Sequence, residues 1–301
     1  MFQQTLTQVT TLFLFILVGY VLSKKKLLPE NAAQCFSIFL VWAASPALYL
    51  NTFTNQFTPD KLREASTLIL ISLGILALMY LVSMLVKRFI TKDPYSQGVF
   101  TYSMCVPNFG YMGNVLVLAL MGEAVLLRFQ LFIIPISVFS LTKGYAMLLE
   151  RKSSLRALLN PMIVGMACGM VLGLAGIRIP GFIAGVLTSA SDCIGPMAML
   201  LTGCVIAKFN LKEILNQKEI YFTVALKMIV LPLAVLVLGK LLNIPSEYLF
   251  LIMMVAALPT GLNSVVFPST IGKDCSFAAG LAVVSNVVAL ITVPLFLGQV
   301  A

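Results

Sequence analysis

Apolar residues run along this chain in blocks of about twenty, with short polar punctuation between them. The blocks lie near residues 5–23, 34–53, 65–86, 97–120, 125–147, 160–177, 182–206, 220–241, 247–270 and 277–298. Each is close to the roughly 20 residues that an α-helix needs to cross a bilayer. The pattern predicts an all-α polytopic membrane protein whose ten transmembrane helices use nearly the whole chain. Two blocks are impure in the same way: the fourth contains "CVPNFGYMGN" at 105–114 and the ninth "LPTGLNS" at 258–264. Irregular backbone cannot face lipid, because nothing there satisfies its N–H and C=O groups. A break at these points must be buried in protein or line a wet cavity, which marks a candidate site.

The impurities recur at a fixed interval. Span 2 carries "SPALYL" with Pro46, and span 7 carries "GPMAML" with Pro196, 150 residues later. Pro107 in span 4 and Pro259 in span 9 are 152 residues apart. Such spacing reads as a duplicated five-helix unit, residues 1–152 and 153–301. Because five is odd, the second copy enters from the opposite side, giving an inverted repeat. Helices 4 and 9 then break and cross near mid-membrane; residues 111–121 would cover about 16 Å, half the bilayer. Unpaired N–H groups at the restarted helices suit an anion, freed carbonyls suit a cation, and asparagines offer both donors and acceptors. The residues expected to bind substrate are Pro107, Asn108, Gly110, Gly113, Asn114, Pro259, Thr260, Gly261, Asn263 and Ser264. Pro46, Pro135, Pro196, Pro232 and Pro294 read instead as simple kinks, and Gly165, Gly169 and Gly173, spaced by four, as a close-packing face.

Composition agrees: 60% of the 301 residues are hydrophobic and 10% charged, with mean hydropathy +1.01. The net charge of +9 could suggest nucleic acid, but its placement points to membrane topology. Thirteen basic residues, among them Lys24, Lys25, Lys26, Lys87, Arg88, Arg151, Lys208 and Lys273, follow odd-numbered spans; five (Lys61, Arg63, Arg128, Arg178, Lys240) fall on the other side. This positive-inside bias puts both termini outside and the 151–158 loop in the cytoplasm. The first span reads as a retained helix, since its charges follow the apolar run. The six cysteines are scattered and match no disulfide or metal spacing. With no histidine base, metal cluster or phosphate loop, no enzyme activity, catalytic residue, metal or cofactor is expected.

Charges inside spans are costly and default to function. Lys227, well inside span 8, is expected either to attract a substrate anion or to clamp carbonyls of a broken helix. Asp192 in span 7 and Asn286 in span 10 are coupling-ion candidates for a proton or sodium ion, Asp192 being equally readable as a solvated interfacial residue. Lys143 and Arg128 lie near span ends, where long side chains reach out to the headgroups.

At these motifs the chain resembles the auxin efflux carrier family, which includes plant auxin exporters and bacterial malate and malonate permeases. The resemblance rests on "ASPALYLNTF", "PNFGYMG", "GPMAMLLTGCVIA", "LKMIVLPL" and "ALPTGLNSVVF", in order along the chain. It implies a ten-helix inverted-repeat fold with substrate bound where helices 4 and 9 cross. It implies a scaffold of helices 1, 2, 6 and 7 (1–55 and 159–208), often a dimer interface, and a mobile transport part of helices 3–5 and 8–10 (60–150 and 218–300). The implied activity is secondary transport of a small organic anion, a carboxylate or auxin-like molecule, by elevator-type alternating access in the cell membrane. The rival readings are a proton- or sodium-coupled exchanger on the same scaffold and a ligand-binding sensor. The chain departs from the family where many relatives have a second proline after the span 4 motif, here Asn114 and Val115, and at Pro268, where relatives usually have a small residue.

Overall fold

Within hydrocarbon a chain can satisfy its backbone only by bonding to itself, and a segment this apolar does so as helix. The computed structural model describes residues 1–152 and 158–300, and among these it contains helices and no β-strand. Seven helices are long and apolar enough to cross a membrane: α1 (Phe2–Lys24), α2 (Ala32–Gln56), α3 (Lys61–Ile90), α5 (Phe109–Phe132), α8 (Gly181–Ile206), α10 (Lys218–Leu241) and α13 (Ser276–Leu297). Shorter helices fill the intervals: α4 (Pro94–Cys105), α6 (Ile134–Leu149), α7 (Pro161–Leu174), α9 (Leu211–Leu215), α11 (Ser246–Ala257) and α12 (Asn263–Ser269). The ten uniform blocks of the sequence are thus unequal helices. The fourth is cut between α4 and α5 and the ninth between α11 and α12, at the proline-containing segments. Gly122, at φ +79, turns the chain inside α5, where the fourth block gives way to the fifth. The greater part of the 151–158 loop lies outside the described residues.

Proline is accommodated elsewhere by a wider turn. Pro46 and Pro232 follow π-helical turns at Leu40–Ala44 and Leu226–Val230, which relieve the clash between the pyrrolidine ring and the preceding turn. Glycine sets the closest helix contacts. A Cβ on Gly165 would lie 2.7 Å from the Pro46 carbonyl oxygen, and one on Gly173 would lie 2.6 Å from that of Phe53, so α7 rests directly on the α2 backbone. Similarly, a Cβ on Gly203 would come within 2.6 Å of Tyr20 N, bringing α8 against α1.

Two charged residues do not reach freely for the headgroups as their positions suggested. Arg128 pairs with Glu64 at the start of α3 (Nε–Oε1 2.6 Å) and Glu247 at the start of α11 (Nη2–Oε2 2.8 Å). Lys143 lies 4.2 Å from the centre of the Tyr80 ring. Both are held because partners from neighbouring helices meet them at the same level, which hydropathy along one helix does not reveal.

Candidate substrate site at the helix crossing

The local logic of both breaks starts from a missing donor. In an α-helix the N–H of residue i+4 bonds the carbonyl of residue i, and proline has no N–H. Pro107 therefore leaves the Ser103 carbonyl without its helical donor, and Pro259 does the same to Val255. The chain answers by pairing the two breaks with each other. Asn108 N–H donates to the Pro259 carbonyl at 2.8 Å, and Gly261 N–H donates to the Val106 carbonyl at 3.2 Å. Pro107 and Thr260 face one another in a minimal antiparallel bridge. Gly261 permits this approach, since a Cβ there would stand 3.2 and 3.3 Å from the Val106 and Pro107 oxygens.

Side chains complete the accounting. Lys227, fully buried in the π-helical turn of α10, donates from Nζ to the Val255 carbonyl at 3.1 Å, the group orphaned by Pro259. Thr260 places its N–H 3.2 Å and its Oγ1 3.1 Å from Ser285 Oγ on α13. Ser264 Oγ donates to the Gly261 carbonyl at 2.8 Å. On the other break, the Asn108 carbonyl accepts from Met112 and Gly113 N–H, starting α5. Asn114 Nδ2 donates to the Gly110 carbonyl at 3.2 Å and lies 3.4 Å from the Tyr49 hydroxyl, while its Oδ1 is buried without a partner.

Beside the bridge lies a cavity of about 110 Å³. Of the residues singled out in the sequence, Pro107, Asn108, Gly110, Gly261 and Asn263 line it. Gly113, Asn114, Pro259, Thr260 and Ser264 shape the surrounding backbone without lining it, and Gly113 is packed against Leu258 and Phe129. Lys227 stands behind α11 and outside the wall. The two coupling-ion candidates are elsewhere: Asp192 is exposed at a turn in α8, and Asn286 donates to the Ala282 carbonyl of its own helix at 2.8 Å.

The wall also contains polar groups that the motif search passed over: Ser45 and Tyr49 from α2, Tyr111 from α5, Ser137 and Ser140 from α6, and Asn160 ahead of α7. Ser140 Oγ is in turn 2.7 Å from the buried Tyr102 hydroxyl. Ser137 and Ser140, one turn apart in an apolar block, carried a findable signal, because residues i and i+3 share a helix face. Val41, Val106, Phe109, Leu141, Met162, Leu262 and Phe267 supply the apolar remainder. Among the described residues no Lys, Arg, Asp or Glu lines the cavity. The Asn108, Asn160 and Asn263 amides, each able to donate twice and accept, are its most versatile polar groups, and the Asn160 oxygen already accepts from Met162 N–H at 2.9 Å. Among the described residues, no group of three or more His, Cys, Asp or Glu side chains could hold a metal.

The whole chain can now be compared with known proteins. Residues 4–297 match a family model described as membrane transport protein. The chain belongs to the membrane transport protein family. This is the auxin efflux carrier-like group that its motifs resemble. The transporter is also similar to the uncharacterised transporter YfdV of Escherichia coli (strain K12), 22% identical over 302 residues covering 95% of this chain and 94% of the relative. The same protein in Escherichia coli O157:H7 and in Shigella flexneri matches equally. A membrane transporter of this family is a multi-pass protein of the lipid bilayer, and its family and relatives point away from an enzyme.

Proposed function

We propose that the protein is a secondary transporter of a small organic anion, working by alternating access about the crossing of the two broken helices. The observation that carries this reading is the bridge from Asn108 to Pro259 and from Val106 to Gly261, set beside a small polar cavity. Two helix breaks in corresponding halves, meeting where a ligand can sit, are the arrangement that inverted-repeat transporters use. The proposed architecture is ten spans in two inverted halves, residues 1–152 and 153–301.

The contacts also favour a division into a scaffold (1–55 and 159–208) and a moving part (60–150 and 218–300). Within the scaffold, glycines seat α1 on α8 and α2 on α7. Within the moving part, Arg128 ties α3, α5 and α11 at one surface. At the other, Lys273 pairs with Glu150 and lies 4.6 Å from the Tyr95 ring, tying the ends of α6, α12 and α4. Polar links between the parts are sparse, such as Gln56 Nε2 to Glu123 Oε2 at 3.0 Å, and α1 lies along α13 through apolar contact. Ion pairs lie inside the moving part, while the extensive face between α1 and α13 joins the two parts and is the surface an elevator motion would have to slide along.

In this proposal the loop before Asn160 is cytoplasmic, a reading supported by the excess of basic residues after odd-numbered spans. Since Asn160 lines the cavity, the conformation is read as inward-facing. Reconstituted protein is expected to accumulate a labelled carboxylate from a panel spanning mono- and dicarboxylates, and empty liposomes are not. No uptake of any organic anion, with robust exchange of sodium for protons, would sink this reading in favour of a cation exchanger. In cells, a cysteine replacing Lys152 should resist impermeant reagent while one replacing Arg178 reacts; the reverse pattern would overturn the orientation.

A further inference from the structure

Two lysine clusters 180 or so residues apart in the chain, Lys24–Lys26 after α1 and Lys208 with Lys212 after α8, are brought to one place by the contact between these helices. The contact is as close as backbone allows. A Cβ on Gly19 would lie 2.9 Å from Leu200 Cα, and the Cys204 thiol points to the Gly19 carbonyl at 3.8 Å. The chain leaving α1 and the chain leaving α8 must therefore emerge side by side at the membrane surface.

Where they emerge, two surface cavities share Lys208. One, of about 530 Å³, is walled by Tyr20, Lys24, Lys208, Asn210 and Lys212. The other, of about 580 Å³, adds Lys26 and Glu30. None of these lysines makes an ion pair among the described residues. The Glu213 carboxylate, which accepts from Asn210 Nδ2 at 2.6 Å, lines neither cavity, so among the described residues Glu30 is the acid in the walls. Gathering like charges round a concave surface costs free energy that an anion would recover. On its outer face α1 exposes Leu14, Leu17, Val18 and Val21, and Leu17 lies two helical turns from Lys24 on the same side, so an apolar strip runs from the edge of the pocket toward mid-membrane.

We propose that this basic pocket binds the phosphodiester headgroup of an anionic phospholipid, with its acyl chains along α1. Basic pockets between transmembrane helices suit such headgroups, and each lysine near the surface is worth about a five-fold change in affinity. A soluble phosphate would use the same lysines but leave the apolar strip unused, which separates the two sources.

The test uses the purified full-length protein in zwitterionic detergent, with thermal unfolding followed as phosphatidylglycerol, phosphatidylcholine or inorganic phosphate is added. Phosphatidylglycerol is expected to raise the melting temperature saturably, and the other two are not. In Lys24→Gln/Lys26→Gln/Lys208→Gln the midpoint of that titration should move at least about ten-fold higher. In the equal-charge control Lys87→Gln/Arg88→Gln/Lys92→Gln, at the end of α3, it should stay within about two-fold of the parent. Unliganded melting temperatures near the parent value establish that both variants are folded. Equal weakening in both variants would show a diffuse surface effect and overturn the proposal. Equal stabilisation by phosphatidylcholine or by inorganic phosphate, or none by phosphatidylglycerol, would overturn it as well.

Discussion

Replacing Asn108 or Asn263 by leucine is expected to weaken anion binding about five- to one-hundred-fold while leaving the unliganded protein folded. Each change removes an amide from the wall of the cavity and substitutes an apolar group of similar volume. A polar partner left unsatisfied costs roughly 1–3 kcal/mol, which converts to that range of affinity. The two residues are not equivalent structurally. Asn108 also holds the bridge through its backbone N–H and starts α5 through its C=O, and leucine retains both groups. Asn263 begins α12 and is only partly buried. Thermal unfolding with and without a saturating transported anion separates binding from stability. Should the ligand-induced shift survive unchanged in both variants, the crossing is not where substrate binds.

The second large effect concerns Lys227. Its ammonium donates to Val255 and does not line the cavity, so Lys227→Met is expected to act on the geometry of the break and not on direct contact with substrate. Methionine keeps an unbranched side chain, one atom shorter, but strands a buried carbonyl that Pro259 cannot serve. Loss of a hydrogen bond from a charged donor costs about 1.5–3 kcal/mol. Transport is therefore expected to fall about ten- to one-hundred-fold, with a smaller change in ligand affinity. Adding Pro259→Ala restores an N–H at the position where an uninterrupted helix would use it, so the double variant should lose less than the product of the single losses. Strictly multiplicative losses would show that lysine and proline act independently, and a loss confined to affinity would return Lys227 to the role of direct anion attractor.

How far the site could be read beforehand differs residue by residue. Pro107, Asn108, Gly110, Gly261 and Asn263 were legible because proline, glycine and asparagine have no ordinary place in an apolar helix. Ser45, Tyr49, Ser137, Ser140 and Asn160 were not, because a lone hydroxyl or amide is tolerated in a helix that bonds its own backbone. Only the meeting of α2, α6 and the start of α7 shows that these groups face one cavity. For Lys227 both a substrate role and a clamp were open; choosing between them requires the position of the Val255 carbonyl, 28 residues away. Asp192 and Asn286 were both coupling-ion candidates in the sequence, yet Asp192 is exposed, as its alternative reading as a solvated residue had it, and Asn286 bonds its own helix.

The sequence by itself determined that this is a helical membrane protein, where its helices must break, and which family it belongs to. These follow from local rules: hydrocarbon demands internal hydrogen bonds, proline withholds one, and motifs keep their order along the chain. The tertiary structure alone decided which backbone groups pair where the two breaks meet, what fills the donor missing at Pro259, which polar groups share a cavity, and that the lysines after α1 and α8 form one basic surface. Those outcomes depend on distances between residues far apart in the chain, set where glycine lets backbones touch, and no period or composition along a single helix encodes them.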